Sequence, residues 1–378
     1  MRAYRWLPVT APALLAGLLL GAPAPAAGPS EADWNKAVDR AISYLKSSQN
    51  PNGSWGTEPR SRGVTGVAVT GLLKSGKVGP DDEPAAKGLR YIESLVNPKA
   101  GHIAGPEAVV QLQNYVTSVN VMALQAAGRP EKYRAIVGDA VDFLKRLQWD
   151  DGEGKSPKDD FYGGAGYDSK SRPDLSNTQF FLEALHEAGV PPDDPAFQKA
   201  LVFVSRCQNL KSEFNDQPWA GAINDGSFIY SAAGGGQTKV ENPENKLIGY
   251  GSMTYAGIKS MIYCGVSKDD PRYKKALEWI RENYTLDANP GMLPQFKDRG
   301  LYYYYHTMAK TLSVMGVDTF TDAKGVEHDW RKELTEELLR RQRPDGSWVN
   351  ENDRWMEGEP TLVTGYALMA LSYCKPTK

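Results

Sequence analysis

Hydrophobic residues recur at helical spacing along most of the chain, and two of these runs end in nearly identical segments. Residues 49–55 read QNPNGSW and residues 342–348 read QRPDGSW. In each segment the glycine favours a turn with positive φ, and the tryptophan two residues later can fold back over the helix end. We call Gln49, Trp55, Gln342 and Trp348 the clasp residues and predict that they close helix ends. A clasp near both ends of the chain indicates an internal repeat.

Alignment on the clasp glutamine predicts six helix pairs. The first helix of a pair ends near Gln49, Gln148, Gln208 or Gln342, with weaker copies near Asn97 and Tyr284. The second helices align on a threonine followed eleven residues later by a glycine, which predicts a C′ cap. These pairs are Thr65/Gly76, Thr117/Gly128, Thr178/Gly189 and Thr254/Gly265, with Tyr305/Gly316 and Thr364 completing the series.

The second helices are richer in small and apolar residues than the first, as an enclosed layer should be. No stretch shows a convincing strand pattern. We therefore predict an all-α fold, a six-repeat α/α toroid (α6/α6 barrel) with inner and outer helix rings around a central cavity. Residues 28–378 are expected to form this toroid as a single domain.

Acidic residues next to prolines mark the starts of several first helices. Segments 81–84, 193–195 and 269–271 place aspartates before a proline, which predicts N-caps rather than catalytic pairs. Ser176 and Gln179 predict a capping box at the start of the third inner helix.

The first residues have the pattern of a secretory signal peptide. Arg2 and Arg5 precede an apolar run over 7–20, and small residues follow at 24–27. We expect residues 1–27 to be removed and the protein to be exported, to the periplasm or the medium. No other stretch approaches a membrane span, so stable membrane insertion is not expected.

Composition indicates an ordinary globular protein, with 41% hydrophobic and 24% charged residues. Lys and Arg total 44 against 46 acidic residues, so the charge gives no reason to expect nucleic acid as a partner. Cys207, Cys264 and Cys374 are too few and too widely spaced for a disulfide framework or a zinc pattern, and we expect buried thiols. No cofactor is expected.

Three groups of residues resemble the terpene cyclase and protein prenyltransferase superfamily. The clasp resembles the QW motif of squalene–hopene and oxidosqualene cyclases. The stretch from Gly163 to Thr178 resembles the glycine-rich loop and helix start of those repeats, and Tyr305-His306-Thr307 resembles a prenyltransferase motif whose histidine binds zinc. The chain thus looks like a prenyltransferase/squalene oxidase repeat-containing protein. The resemblance implies a ligand in the central cavity and favours terpenoid cyclisation as the activity.

The reacting groups of that superfamily are missing. The sequence has no Asp-x-Asp-Asp tetrapeptide, and residues 247–252 (LIGYGS) carry glycines where prenyltransferases carry the other two zinc ligands. His306 alone cannot hold zinc, so no metal is expected. Whether the chain is an enzyme is therefore left open. The alternatives are a catalytically silent binding or scaffold module and a carbohydrate-active hydrolase or lyase.

The loops from outer to inner helices should share one face of the toroid, near 56–63, 98–113, 150–175, 209–250, 285–300 and 347–360. The inner-helix N-termini gathered there favour an anionic or oxygen-rich ligand. Aromatic side chains in these loops can stabilise a carbocation or stack on a sugar ring, with carboxyl groups as acid and base. The ligand, small molecule or glycan, and the oligomeric state are left open. The candidate catalytic residues are Asp160, Asp174 and His306, and the candidate ligand-binding residues are Tyr162, Tyr167, Trp219, Tyr250, Tyr303, Tyr304 and Trp355.

Overall fold

The computed structural model describes residues 28–107, 110–242 and 244–376, which contain twelve α-helices. The signal peptide predicted at residues 1–27 lies outside this range. Odd-numbered helices form an outer layer and even-numbered helices an inner one. The outer helices are α1 (Glu31–Ser47), α3 (Glu83–Ser94), α5 (Pro130–Lys145), α7 (Pro195–Arg206), α9 (Pro271–Asn283) and α11 (Trp330–Arg341). The inner helices are α2 (Ser61–Ser75), α4 (Gln113–Ala126), α6 (Leu175–Glu187), α8 (Gly251–Tyr263), α10 (Leu301–Met315) and α12 (Pro360–Ser372).

Each inner helix packs against the next inner helix, and α12 packs against α2. In the outer layer α1 contacts α11, so the last repeat also meets the first there. This closed arrangement confirms the predicted all-α toroid. Between α10 and α11 the chain adds one feature that the sequence did not predict, a short hairpin in which β1 (Phe320–Thr321) pairs antiparallel with β2 (Glu327–His328).

The repeated threonines fasten each preceding loop to its inner helix. The Oγ1 atom of Thr65 accepts the backbone N–H of Trp55 at 3.0 Å, and Thr364 accepts that of Trp348 at 3.2 Å. Thr117, Thr178 and Thr254 make the same contact in the second, third and fourth repeats. The paired glycines end the helices in the left-handed conformation, for example Gly76 with φ 76°.

The clasp residues join neighbouring repeats at two places in the ring. Gln49 Nε2 donates to the carbonyl oxygens of Gly53 in its own loop and of Pro84 in the first turn of α3, both at 2.9 Å. Gln342 Nε2 bonds Gly346 in the same way but reaches the Ala37 carbonyl of α1, which closes the ring between the last and first repeats. The indole N–H groups of Trp55 and Trp348 each donate to a carbonyl in the last turns of the preceding outer helix.

Aspartates cap two of the three outer helices for which the acidic segments before proline predict caps. Asp194 accepts the backbone N–H of Ala196 at 2.9 Å, and Asp270 accepts that of Arg272 at 2.8 Å. At the third, Asp82 is the N-cap residue of α3, but its side chain makes no capping bond and accepts the backbone N–H of Gly79 instead. The capping box predicted at Ser176 is wrong. The N-cap of α6 is Asp174, so the Ser176 hydroxyl remains available for contacts across the ring.

The three cysteines are buried free thiols, as expected from their apolar neighbours. None of the described helices combines the length and the apolar character needed to cross a membrane.

Candidate ligand site at the mouth of the toroid

All six inner helices begin at the same end of the toroid, because every repeat runs out along its outer helix and back along its inner one. We call this end, with the loops that lead into the inner helices, the mouth, and the other end the closed end. The loops into the inner helices span 48–60, 95–112, 146–174, 207–250, 284–300 and 342–359, whereas most of the turns at the closed end are much shorter. Long loops on a rigid scaffold are common places for binding.

The floor of the mouth is a cluster of hydroxyl and amide groups from three inner helices. Ser176 Oγ of α6 lies 3.1 Å from the hydroxyl of Tyr303 on α10 and 3.3 Å from that of Tyr115 on α4. Gln179 Nε2 donates to the Tyr303 hydroxyl at 3.0 Å. The Oε1 atom of Gln179 is buried and has no hydrogen-bond partner among the described residues. The floor therefore offers rotatable hydroxyl groups and an unused acceptor.

One wall of the mouth is built around Asp174. Its carboxylate accepts the backbone N–H and the side-chain amide of Asn177, both at 2.8 Å. Burial raises the pKa of Asp174 to about 6, although these bonds and the Tyr230 hydroxyl act in the opposite direction. The Tyr230 hydroxyl lies 3.3 Å from that of Tyr167, and Lys239 Nζ lies 4.0 Å from the centre of the Tyr230 ring. Asp174 is thus a structural cap that also titrates near neutral pH.

A second buried carboxyl group, Glu357, lies at the start of α10. Its oxygens accept the backbone N–H of Tyr303 at 2.7 Å and the amide of Asn350 at 2.6 Å. Burial raises the pKa of Glu357 to about 7. Sequence reasoning missed this residue because it precedes α12 in the chain and reaches α10 only through the fold.

Exposed apolar side chains concentrate at the mouth. The large hydrophobic residues exposed in the described part of the chain are Leu112, Tyr167, Trp355 and Val326, and the first three belong to mouth loops. Leu112 directly precedes α4, and Trp355 lies over Gly300, where a Cβ would be 2.9 Å from the indole. Leu112 and Trp355 also have φ near +60°, which costs free energy in residues other than glycine. Their place in the long loops makes these exposed side chains candidates for contact with a ligand.

Below the floor, aromatic side chains fill the axis. His306 lies between Phe180 and Tyr366, with ring centroids 6.4 Å and 5.7 Å away. The His306 ring is completely buried, and neither of its nitrogens has a partner among the described residues. Burial lowers the pKa of His306 to about 3, so the imidazole is neutral at ordinary pH.

A buried network of charges lies further along the axis, toward the closed end. Glu183 on α6 and Lys259 on α8 form a fully buried ion pair. Lys310 Nζ lies 2.6 Å from Glu187 Oε1, and Lys74 Nζ lies 3.1 Å from the same oxygen. Burial alone would raise the pKa of Glu183, but Lys259 and Lys310 outweigh it and hold this pKa below its usual range. Of these lysines, Lys74 lies in the last turn of its helix, where the helix dipole favours a positive charge.

No protein-family model matches the chain, and none of the curated proteins matches its sequence. Similarity appears among solved structures. The type II terpene cyclase MstE from Scytonema, without ligand, is 13% identical, with a TM-score of 0.57 over 92% of this chain and 99% of that one. A variant of MstE in complex with its substrate geranylgeranyl dihydroxybenzoate gives 0.56 at 13% identity, covering 91% and 98%. A glycosidase variant in complex with glucose gives 0.52 at 11% identity, covering 91% and 97%. This chain has the α/α toroid fold that these terpene cyclase and glycosidase structures share.

Within this toroid, the structure brings together five of the predicted site residues. Asp174, Tyr167, Tyr303 and Trp355 lie at the mouth as described above. Tyr250 is the N-cap residue of α8, where burial raises the pKa of its phenol and Tyr303 and Asp174 contribute further.

The other predicted residues lie elsewhere. Asp160 accepts the backbone N–H of Gly234 at 2.7 Å and so joins the third mouth loop to the fourth. The Tyr304 hydroxyl donates to the Thr285 carbonyl at 2.9 Å, and its ring is completely buried against Tyr255, so Tyr304 does not line the mouth. Tyr162 is buried near the outer helix α7, where Lys199 is among the nearest charges. Trp219 packs against Gly236 within the fourth loop, and His306 lies under the floor.

Among the described residues there is no group of three His, Cys, Asp or Glu side chains that is arranged to hold a metal ion. His306 has no carboxylate or thiolate within bonding distance in this part of the chain.

Proposed function

We propose that the protein binds a hydroxylated small molecule of the saccharide class at the mouth of the toroid. The observation that carries the proposal is the combination of exposed aromatic side chains at the rim with a hydroxyl-rich floor. Tyr167 and Trp355 expose 36% and 40% of their surface. Sugar rings present one apolar face that stacks on aromatic rings and a rim of hydroxyl groups that exchange hydrogen bonds.

The floor supports this ligand class more than an apolar one. The hydroxyl groups of Tyr115, Ser176 and Tyr303 both donate and accept, and Gln179 Oε1 is an unused buried acceptor. A polar atom left without a partner costs about 1–3 kcal/mol, so covering this floor with hydrocarbon would be unfavourable. A ligand with hydroxyl groups avoids that cost.

The filled axis limits where a ligand can lie. Phe180, His306 and Tyr366 occupy the axis below the floor and are almost completely buried. A long isoprenoid chain would need this volume, whereas a sugar ring needs only the mouth. Export through residues 1–27, which we also propose, would place the protein where saccharides rather than prenyl diphosphates are available.

Terpenoid cyclisation is the second candidate. The aromatic column formed by Tyr303, Phe180 and Tyr366 favours it, because aromatic faces stabilise carbocations. The likeness to MstE, which is described as a type II terpene cyclase, supports the same candidate at the level of fold. Asp174 would be the acid available to such a reaction at the mouth.

Ligand binding can be tested with variants of the protein that each lack one tyrosine hydroxyl group. Tryptophan fluorescence and ligand-observed NMR would be recorded while the protein is titrated with glucose, with short neutral glucans and with geranylgeraniol. We expect the sugars to bind and Tyr303→Phe to weaken binding about five- to tenfold, the equivalent of one hydrogen bond. Tyr302→Phe is the matched control, because Tyr302 packs against Tyr305 away from the floor.

The two variants separate the candidates. Binding of geranylgeraniol but no sugar would overturn the saccharide proposal in favour of the terpenoid one. Equal weakening of sugar binding by Tyr302→Phe and Tyr303→Phe would mean that the floor is not the site. Circular dichroism of both variants would establish that the fold is retained.

A further inference from the structure

The loop before α12 holds the rim residue Trp355 in a backbone conformation that residues other than glycine avoid. Trp355 and its neighbour Met356 both have left-handed φ values, 58° and 68°. The Trp355 indole lies over Gly300, where an added Cβ would be 2.9 Å from the ring. Two successive left-handed residues of this kind cost free energy, and they persist only where the surrounding structure enforces them. Other contacts therefore hold this loop in place.

The side chain of Glu357 supplies those contacts. It is almost completely buried, with one carboxyl oxygen accepting the backbone N–H of Tyr303 at 2.7 Å and the other the side-chain amide of Asn350 at 2.6 Å. The same amide donates to the Asp298 carbonyl at 2.6 Å, and the Asn350 backbone N–H donates to the Glu357 carbonyl at 2.8 Å. Residues 350–357, which we call the rim segment, are therefore closed on themselves and fastened to the start of α10.

The same carboxyl group also reaches the floor of the mouth. Tyr303, whose backbone it binds, presents its hydroxyl group to α6 at the floor. The N-cap residue of α10 is Gly300, which has no side chain, so Glu357 caps this helix from the neighbouring repeat. Trp355 lies only two residues before Glu357. One side chain thus connects the exposed ring at the rim with the tyrosine of the floor.

We infer that Glu357 is a positioning residue of the saccharide site, because its carboxyl group fixes the Trp355 ring at the rim relative to the Tyr303 hydroxyl on the floor. This inference rests on the proposed saccharide site and adds how that site is held in its binding shape. A ring that is already held in place loses less conformational freedom when a ligand binds. Loss of the Glu357 contacts should therefore weaken binding although no group that touches the ligand is removed.

Replacement of Glu357 tests this inference. The full mature chain would be titrated with glucose and with short neutral glucans by ligand-observed NMR. Trp355 would be followed by ¹⁹F NMR of 5-fluorotryptophan, with its resonance assigned through Trp355→Phe. We expect Glu357→Ala to weaken sugar binding about tenfold and to shift the Trp355 resonance. Glu357→Gln keeps an acceptor for the Tyr303 N–H and should bind sugar within about twofold of the wild type.

Glu359→Ala is the matched control, because Glu359 lies in the same loop but caps α12, where it accepts the Thr361 hydroxyl at 2.7 Å. It should change neither sugar binding nor the Trp355 resonance. Equal weakening by Glu357→Ala and Glu359→Ala would overturn the inference. Unchanged binding and an unchanged resonance in Glu357→Ala would overturn it as well and leave the saccharide site standing. A shifted resonance in a protein that binds no sugar would overturn the saccharide site.

The pH dependence of binding supplies a second readout. Burial raises the pKa of Glu357 to about 7, so its buried contacts are favoured while it is protonated and weaken as pH rises through about 7. Tyr302 on α10 and Tyr366 on α12 lie close enough to act on Glu357, but burial raises their pKa values and they stay neutral in this range.

We expect the sugar affinity of the wild type to fall by up to about tenfold between about pH 6 and about pH 8. Asp174 also titrates at the mouth, so the comparison with Glu357→Gln isolates Glu357, and the affinity of this variant should change less over the same range. Identical pH profiles of the wild type and Glu357→Gln would overturn the inference.

Discussion

The buried pair of Glu183 and Lys259 allows the clearest test of how the inner ring is held together. Both side chains are completely buried on neighbouring inner helices. Replacing Glu183 by methionine keeps the side-chain volume but leaves the ammonium group of Lys259 unpaired in the apolar interior, where an isolated charge is unfavourable. Breaking a buried pair on one side typically costs about 3–5 kcal/mol, and we expect Glu183→Met to lower the free energy of unfolding by that amount.

The double replacement should cost much less. Glu183→Met with Lys259→Met removes both charges, so neither is left unpaired and the cost of their desolvation disappears. Lys310 lies 3.9 Å from Glu183 but keeps its closer contact with Glu187 at 2.6 Å. We therefore expect the double variant to lie within about 1–2 kcal/mol of the wild type. Since either single replacement should cost about 3–5 kcal/mol, the coupling energy between the two positions should be at least about 4 kcal/mol.

Urea unfolding followed by circular dichroism at neutral pH would measure these differences, with the slope of the transition checked to be unchanged. The exposed pair Lys275 and Glu278 on α9 supplies the control, and its double replacement should leave the unfolding midpoint nearly unchanged. The reasoning would be refuted if Glu183→Met cost less than about 1 kcal/mol, or if the effects of the two single replacements simply added in the double variant.

Two further predictions concern the clasp and pH. Gln342→Ala should destabilise the protein by about 1–3 kcal/mol because two buried carbonyl oxygens lose their donor, and Trp348→Ala by about 3–5 kcal/mol because it leaves a cavity. Thermal melts would measure both losses alongside the exposed control Lys324→Ala, and melting temperatures equal to that of the control would contradict the prediction. Because the folded-state pKa values of Asp174 and Glu357 lie above their ordinary values, the folded chain binds more protons than the unfolded chain between pH about 4 and about 7, so these two groups make stability fall as pH rises through this range. The variant Asp174→Asn/Glu357→Gln should flatten that slope in urea titrations, and an unchanged slope would mean that other groups control it.

The fold was predictable because the sequence repeats the residues that terminate and fasten its helices. Gly76 and its counterparts adopt the left-handed conformation that other residues avoid, and Thr65 and its counterparts accept one backbone N–H from each loop. These requirements are local or nearly so, and each occurs in almost every repeat. A pattern that recurs at fixed spacing is visible in one sequence without any relatives.

The candidate site was predictable only as a location. Helix direction places the long loops on one face of the toroid, and this reasoning correctly predicted that Tyr167, Tyr303 and Trp355 lie at the mouth. It failed for Tyr304, which is next to Tyr303 in sequence but points about 100° around the helix and therefore packs between the layers. Neither Leu112 nor Glu357 carries a local signal, since the strained backbone of the first and the α10 contact of the second arise only from tertiary packing.

Asp174 illustrates a different difficulty, because an aspartate that caps a helix and an aspartate that acts on a ligand have the same sequence pattern. The capping bonds explain why an acidic residue is placed there, yet they do not explain why it is buried beside Tyr230 and close to Lys239. A surface cap would keep its charge, whereas this one has its pKa raised by burial.

The parallel arrangement of the inner helices determines the electrostatic environment at the two ends of the toroid. Aligning six inner helices puts all positive poles at the mouth and all negative poles at the closed end. At the closed end the charged groups form one buried network, in which Lys259 pairs with Glu183 and both Lys74 and Lys310 pair with Glu187. Buried charges are costly on an otherwise apolar inner face unless they are paired, and here three ammonium groups face two carboxylates. The extra positive charge suits this end of the toroid, because Lys74 lies in the last turn of α2, where the helix dipole favours a cation.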